Sequence, residues 1–170
     1  MTARDAILSA IRVAGVPAAP PAPSMTVRPP HEEGDDLLAQ FLRVLAEVGG
    51  EGVVRAAAQP LDDLLDRLLG EARTKAMVIR ARFAVAENAA VYVDAADLAA
   101  RNDIVREEHL VLIVPYGAIV PTMHEAVRLM PTGPGCGWFL SGPSKTADIE
   151  QSLVFGAQGS RTHRVVFDRD

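Results

Sequence analysis

Five short apolar runs in the second half of the chain constrain its fold more than any other feature. Gly, Pro or charged residues bound these runs, which are Met77–Ile79, Ala90–Val93, Leu110–Val114, Trp138–Leu140 and Val165–Phe167. Runs of this length are typical of strands that are buried on both faces. A helical pattern lies between two of them at Pro121–Met130, with Thr122 as the expected N-cap and with Met123, Ala126, Val127 and Met130 facing inward. The alternation predicts a three-layer α/β fold in which a mostly parallel sheet carries helices on both faces.

Two amphipathic helices are predicted before these strands. The first begins at Asp35 or Asp36, ends at Gly49-Gly50, and carries an apolar stripe of Leu37, Leu38, Phe41, Leu42, Leu45 and Val48. The second lies between Pro60 and Gly70 and presents Leu61, Leu64, Leu65, Leu68 and Leu69 on one face. The segment Gly52–Ala57 between them is short enough for a strand.

The N-terminal part of the chain predicts a separate helix and a linker. Residues 1–15 carry Ile7, Leu8 and Ile11 at helical spacing, behind a Thr2 cap. Residues 16–34 are rich in proline and alanine, so we expect an extended, mobile linker there. The α/β domain then covers residues 35–170. Because the first helix cannot easily share the core beyond this linker, it is a candidate for binding a partner or a second copy of the chain, and a homo-oligomer is one expectation.

Composition excludes several classes of function. There are 22 acidic and 17 basic residues, for a net charge of −5, so a nucleic-acid partner is not expected. One cysteine and four scattered histidines do not match a structural zinc site or an iron–sulfur cluster, so no metal and no cofactor is expected in this chain. No apolar run approaches the roughly 20 residues of a membrane span, and no signal-peptide pattern opens the chain. We therefore expect a cytoplasmic protein with no membrane contact.

The densest group of polar and conformationally special residues is Ser141–Glu150, directly after a predicted strand. We predict that it is a loop that binds a small anion, a carboxylate or a phosphate, through Ser141, Gly142, Pro143, Ser144, Lys145 and Thr146, with Asp148 and Glu150 positioning the loop. Gly142 lets the backbone approach a ligand, Pro143 restricts the loop, and Lys145 supplies positive charge. A capped turn that leads into a short helix is the alternative interpretation of the same residues.

The lysine and threonine of this segment do not make a nucleotide-binding P-loop. That motif requires glycine directly before the lysine and again five residues earlier, where this chain has Ser144 and Phe139. The sequence therefore does not predict an ATPase.

The C-terminal residues resemble the lactate-utilisation branch of the LUD-domain family. The resemblance is carried by SGPSKTADIE at 141–150, by LVFGAQG at 153–159 and by the closing strand HRVVFD at 163–168. A weaker match upstream compares Val85-Ala86-Glu87 with the family's A-E-T-G-T segment. The chain departs from the pattern at two places. Asn88-Ala89-Ala90 replaces T-G-T, which puts the tight glycine turn in doubt, and Gln158 stands between Gly156 and Gly159 where the family has histidine, so that an imidazole role at this position is lost.

This resemblance implies a fold similar to that of coenzyme A transferases, ribose-5-phosphate isomerase and formyltetrahydrofolate cyclo-ligases. It also implies a non-redox subunit, or an assembly or regulatory factor, in the oxidation of L-lactate to pyruvate. Iron–sulfur clusters are then expected only on partner proteins. Gly156, Gln158 and Gly159 become secondary site candidates.

Two other classes of function stay open. One is a freestanding enzyme of the cyclo-ligase or acyl-transfer type, with Glu87 as a weak catalytic candidate, although a solvated loop glutamate is the simpler interpretation. The other is a ligand-sensing regulatory module. His124 is expected to be buried or to cap a helix, Cys136 to be a small buried thiol, and the acidic segment Asp94–Glu108 to be a solvated connection or, less simply, a docking surface for a basic partner.

Overall fold

The computed structural model describes residues 2–14, 36–98, 103–131, 135–147 and 153–169. The chain divides into two units, residues 1–32 and residues 33–170. The whole of the predicted linker, residues 16–34, lies outside the described residues, and the predicted domain division stays a prediction.

The first unit contains one amphipathic helix, α1 (Ala3–Ala14). Thr2 and Asp5 cap its N-terminus: the hydroxyl of Thr2 accepts from the backbone N–H of Asp5 at 3.3 Å, and the Asp5 carboxylate accepts from the N–H of Thr2 at 2.9 Å. The Asp5 carboxylate also accepts from the hydroxyl of Thr2 at 2.7 Å, and this hydrogen bond, together with the one from the Thr2 N–H, lowers the pKa of Asp5. The predicted first helix and its cap are confirmed.

Four further helices and ten strands make up the described part of the second unit. The helices are α2 (Leu37–Glu47), α3 (Leu61–Leu69), α4 (Asp103–Arg106) and α5 (Met123–Leu129), with short 3₁₀ segments at Gly70–Lys75 and Ala95–Asp97. The strands are β1 (Glu51–Val54), β2 (Ala76–Arg80), β3 (Phe83–Val85), β4 (Ala90–Asp94), β5 (His109–Pro115), β6 (Ile119–Val120), β7 (Gly137–Leu140), β8 (Lys145–Ala147), β9 (Leu153–Phe155) and β10 (Thr162–Asp168).

A parallel four-stranded sheet in the order β1-β10-β5-β2 forms the centre of the fold. Side chains alternate between its two faces, and helices cover both. Phe41 and Leu45 of α2 pack with Leu112 and Phe167 on one face, and Leu64 and Leu65 of α3 pack with Val111 and Val166 on the other. The predicted α/β class, with a mostly parallel sheet between helices, is confirmed.

A second, mixed four-stranded sheet in the order β6-β3-β4-β7 was not predicted as a separate sheet. Val91 and Val93 of β4 join the core under α2, while Val85 and Tyr92 pack against Ala126 of α5 on the opposite face. A third sheet pairs β8 with β9. Both of these sheets contain strands of two to five residues, which are too short for side-chain alternation to identify reliably.

The predicted helix ends are largely confirmed. Asp36 Oδ1 accepts from Ala39 N at 3.0 Å, and Thr122 Oγ1 accepts from Glu125 N at 3.4 Å. The prediction that Val127 faces inward is wrong, because α5 covers only the edge of the second sheet and leaves this side chain 58% exposed. No helix in the described ranges is long and apolar enough to cross a membrane.

Candidate functional site

A cavity of about 350 Å³ lies where the loop after β7 meets the start of β10. Its apolar wall comes from α4, β5 and β7, and its polar wall from the loop and from the turn before β10. The lining residues are Ile104, Val105, Leu110, Phe139, Leu140, Ser141, Gly142, Pro143, Ser144, Lys145, Thr146, Gln158, Gly159, Ser160 and His163. Cavities that bind small molecules in proteins begin at about this volume. The structure thus brings together the six residues, Ser141 to Thr146, through which the segment was predicted to bind an anion.

The position of this cavity in the sheet differs from the expected one. The segment does follow the carboxyl end of β7, but it packs against residues 160–163, which lead into the amino end of the central strand β10. Ligand sites in open parallel sheets usually lie at the carboxyl ends of the strands. Here β7 of the second sheet leads the segment to the amino-terminal edge of the parallel sheet, which is opposite to the expected edge.

The start of the loop is fixed by a close backbone approach at Gly142. Its φ is +72°, and a Cβ atom at this position would lie 2.8 Å from the carbonyl oxygen of Val48. Neighbouring Pro143 is buried, and the hydroxyl of Ser141 donates to the carbonyl of Asn88 at 2.7 Å. Only glycine fits at residue 142, so the loop is held in place by the end of α2 and by the turn before β4.

Ser144 connects the loop to the turn that precedes β10. Its backbone N–H donates to the carbonyl of Ser160 at 2.8 Å, and its own carbonyl accepts from the N–H of Gly156 at 3.0 Å. Gly159 lies directly beside its side chain, since a Cβ there would be 3.2 Å from Ser144 Cβ. The Ser144 N–H is therefore engaged within the protein, and what this residue offers to the cavity is its hydroxyl.

The predicted loop is shorter than expected, because Lys145–Ala147 forms strand β8 and pairs with β9. The ammonium of Lys145 donates to the carbonyl of Val48, and it lies 5.8 Å from the centre of the Phe155 ring. Thr146 is half-buried and lines the cavity. Asp148 and Glu150 lie outside the described residues. The alternative of a turn leading directly into a helix is wrong for residues 145–147.

The secondary candidates occupy the turn after β9. Gly156 has φ +81°, and a Cβ there would lie 2.2 Å from Cγ of Arg161, so the turn requires glycine. Gln158 and Gly159 line the cavity, and Gln158 is exposed. The amide of Gln158 is thus placed where it can hydrogen-bond with a ligand, but it cannot transfer a proton near neutral pH.

His163 is the residue that sequence reasoning missed. It is 2% exposed, lines the cavity, and neither ring nitrogen has a hydrogen-bond partner among the described residues. Burial lowers its pKa to about 4, so the imidazole is neutral at physiological pH. The signal in the sequence was a polar residue in a strand position that shares its face with Val165 and Phe167, both of which are buried.

Glu87 lies at the start of α5, away from the cavity, and the turn that contains it forms without the glycine of the family pattern. The carboxylate of Glu87 is half-buried, accepts from the backbone N–H of Met123 at 3.0 Å at the start of α5, and is not among the residues that line the cavity. Residues 86–89 form the tight turn despite the missing glycine: Ala89 takes φ +52°, and Asn88 Oδ1 accepts from Ala90 N at 3.1 Å. Glu87 thus lies in a turn, as the simpler interpretation expected, but its carboxylate is half-buried at the start of α5 rather than fully solvated.

The remaining candidates are peripheral. His124 is exposed on α5, and Cys136 is exposed rather than buried because it lies in the chain segment just before the edge strand β7. In the acidic segment, Asp94 caps the 3₁₀ turn through Ala96 N at 2.9 Å, and Asp97 pairs with Arg82 at 2.8 Å. Within the described ranges, no group of three or more His, Cys, Asp or Glu residues could hold a metal ion.

Fold and cavity together define an α/β protein with a ligand-sized site at the junction of two sheets. The chain belongs to the LUD domain family, whose model matches residues 71–167. This match covers the two four-stranded sheets except β1, and all the described residues of the cavity.

Two curated relatives match the chain over part of its length. Lactate utilization protein C 1 of Bacillus mycoides (strain KBAB4) is 35% identical over 92 residues, which is 49% of this chain and 39% of that protein. Lactate utilization protein C of Anoxybacillus flavithermus (strain DSM 21510 / WK1) is 40% identical over 63 residues, which is 35% of this chain and 29% of that protein. The matched segments thus span between 29% and 39% of the length of these relatives.

One solved structure is similar in fold, a DUF162 family protein from Deinococcus radiodurans. The TM-score is 0.56 at 17% sequence identity, over 78% of this chain and 96% of that chain. At this identity the likeness supports the fold alone, and it agrees with the α/β class that the sequence predicted.

Proposed function

We propose that this protein is a non-redox component of L-lactate utilisation that binds a small anionic ligand in the cavity beside residues 141–146. The observation that carries the proposal is the cavity itself, because its polar wall is built from the segment that resembles the LUD-domain signature. The names of the relatives from Bacillus mycoides and Anoxybacillus flavithermus support the pathway.

The non-redox part of the proposal rests on composition. Oxidation of L-lactate to pyruvate releases two electrons and two protons, which a redox centre must accept. The sequence has one cysteine, fewer than the several thiolates that usually hold an iron–sulfur cluster. We therefore assign electron transfer to iron–sulfur partner proteins, and to this chain the binding of a ligand in an assembly or regulatory role.

The rival proposal of a freestanding enzyme built on Glu87 has less support. The Glu87 carboxylate accepts a hydrogen bond from the N-terminus of α5 and does not line the cavity. A catalytic carboxylate has to reach the reacting atoms of a bound substrate. The position of Glu87 favours a structural role at the start of this helix.

A growth experiment tests the proposal. A strain that lacks the gene is grown on L-lactate as sole carbon source and complemented with wild type or with Ser144→Ala/Thr146→Val. The matched control is Ser9→Ala/Thr74→Val, which also removes one serine and one threonine hydroxyl but at positions that do not line the cavity. We expect wild type and control to restore growth and the cavity variant to restore it poorly, with all strains growing equally on glucose. Normal growth of the deletion strain on L-lactate would contradict the pathway, and full rescue by the cavity variant would contradict the site.

A further inference from the structure

We propose that His163 is a ligand-binding residue of this cavity and that its ligand is a small carboxylate with a short carbon chain. The inference rests on the proposed function, because it names the class of ligand for the same cavity, but it adds a residue that was not among the predicted site residues. The His163 ring has no hydrogen-bond partner among the residues that the structure describes, and His163 lines a ligand-sized cavity.

The first step is the condition of the His163 ring. It is 98% buried, and neither Nδ1 nor Nε2 has a hydrogen-bond partner in the part of the chain that the structure describes. Buried polar atoms in folded proteins are nearly always paired, and an unpaired one loses its hydration without compensation. An apolar side chain would fill this strand position at lower cost to folding, as Val165 and Phe167 do on the same face. A ligand that hydrogen-bonds to the ring would explain why a histidine occupies this buried position.

The second step is its place in the cavity. His163 shares the lining with Leu110 and Leu140 on the apolar side and with Ser144, Thr146 and Ser160 on the polar side. A molecule in this space can therefore place carbon atoms against the leucines and oxygen atoms near the hydroxyl groups and the imidazole. A short carbon chain with an oxygen-rich end fits this division.

The third step is the charge of the ligand. Burial keeps the imidazole neutral, with a pKa of about 4, so that it offers one N–H donor and one acceptor nitrogen. Among the described cavity residues, Lys145 is the one with a formal charge, and its ammonium is bonded to the carbonyl of Val48. A doubly charged phosphate would be poorly balanced in such a site. A carboxylate carries one charge, and N–H and O–H donors can satisfy it.

The experiment observes the His163 ring directly. The full chain, labelled with ¹⁵N in its histidine rings, is titrated at neutral pH with acetate, butyrate, L-lactate, pyruvate and inorganic phosphate. His109 is the matched control, because it lies on the neighbouring strand, outside the cavity, with Nδ1 2.9 Å from the hydroxyl of Thr162. We expect saturable shifts of the His163 nitrogens with at least one carboxylate, none with phosphate at equal concentration, and none at His109.

Affinity measurements by calorimetry complete the test. His163→Gln should lower the affinity for the best carboxylate by about 10-fold or more, while His109→Gln leaves it unchanged. Absence of any carboxylate shift at His163, or shifts produced by phosphate alone, would overturn the inference even if the Gln variant fails to fold. If growth on L-lactate still depends on Ser144 and Thr146 in that case, the proposed function stands. Only the carboxylate ligand class and the ligand-binding role of His163 are then refuted.

Discussion

The ammonium of Lys145 donates to the carbonyl of Val48, the residue that caps the C-terminus of α2. Gly49 and Gly50 close this helix by donating to Ala46 and Leu45, which leaves the Val48 carbonyl without a partner from the helix. We expect Lys145→Met to lower the free energy of unfolding by about 1 kcal/mol, because the carbonyl loses its donor and the helix end loses a cation. Urea denaturation would measure this loss.

The same variant separates a structural from a ligand-binding role for Lys145. If its charge is committed to the helix end, carboxylate affinity should be almost unchanged in Lys145→Met, and Lys75→Met, at the end of a 3₁₀ turn, should change neither quantity. A large loss of affinity with unchanged stability would instead return Lys145 to the role in anion binding that the sequence predicted.

Gly142 should be the least replaceable residue of the loop. Gly142→Ala forces a side chain into positive φ and brings its Cβ within 2.8 Å of the Val48 carbonyl oxygen, so we expect a loss of about 2–3 kcal/mol in the free energy of unfolding. Gly117→Ala is the control, because its φ is +87° but no atom of the described residues lies within 4 Å of the added atom, and the loss there should be about 1 kcal/mol. Thermal unfolding of both variants gives the comparison, and equal losses would show that the contact with Val48 has no cost.

The central sheet was predictable because its strands are apolar runs that a parallel sheet buries on both faces, as Leu110–Val114 illustrates. The caps Asp36 and Thr122 were predictable because they act on backbone atoms three residues away. Such features depend on neighbours in sequence. The strands β3, β6, β8 and β9 have two or three residues each, and their pairing is decided by tertiary contacts that local patterns do not contain.

The candidate site was predictable only in part, for a related reason. The composition of residues 141–146 marked the segment, but its meeting with Ser160 and His163 depends on how the second sheet directs β7 toward the start of β10. The roles of Lys145 and Glu87 also depend on helix ends, Val48 and Met123, that are distant in sequence. Only the folded chain shows that these charged groups are engaged and that the histidine is not.

Ala89 stands where the family pattern has glycine, and its positive φ should be measurable as strain. Ala89→Gly relieves about 1 kcal/mol or more of backbone strain, which stabilises the fold, but it loses a buried methyl group and raises the entropy of the unfolded chain, which destabilise it. We therefore expect the free energy of unfolding to change by no more than about 1 kcal/mol. Ala84→Gly in β3, equally buried at 0% exposure, has no such relief and should cost about 1–2 kcal/mol. Equal costs in chemical denaturation would mean that the turn is not strained.

The buried pair of Arg55 and Asp168 should contribute more to stability than an exposed one. Asp168 is 5% exposed and binds Arg55 at the carboxyl edge of the sheet, so Asp168→Asn breaks a buried ion pair and should cost about 3 kcal/mol or more. Asp97→Asn, in the exposed pair with Arg82, should cost about 1 kcal/mol or less. Comparable losses in guanidinium chloride titrations would contradict the burial argument.

His163 predicts how stability changes with pH. Its pKa is about 4 in the folded chain against 6.5 for an unperturbed histidine, so between these values the unfolded state binds more protons. Stability should therefore be complete above about pH 6.5 and fall as the pH drops toward 4, by roughly 3 kcal/mol for this residue alone. His163→Leu should remove this part of the pH dependence and, because it also removes two unpaired polar atoms, should be at least as stable as wild type at pH 8. Unfolding curves at pH 4.5 and pH 8 for wild type, His163→Leu and His109→Gln measure the difference. A wild-type curve that keeps its full pH dependence in the leucine variant would show that the protons are taken up elsewhere.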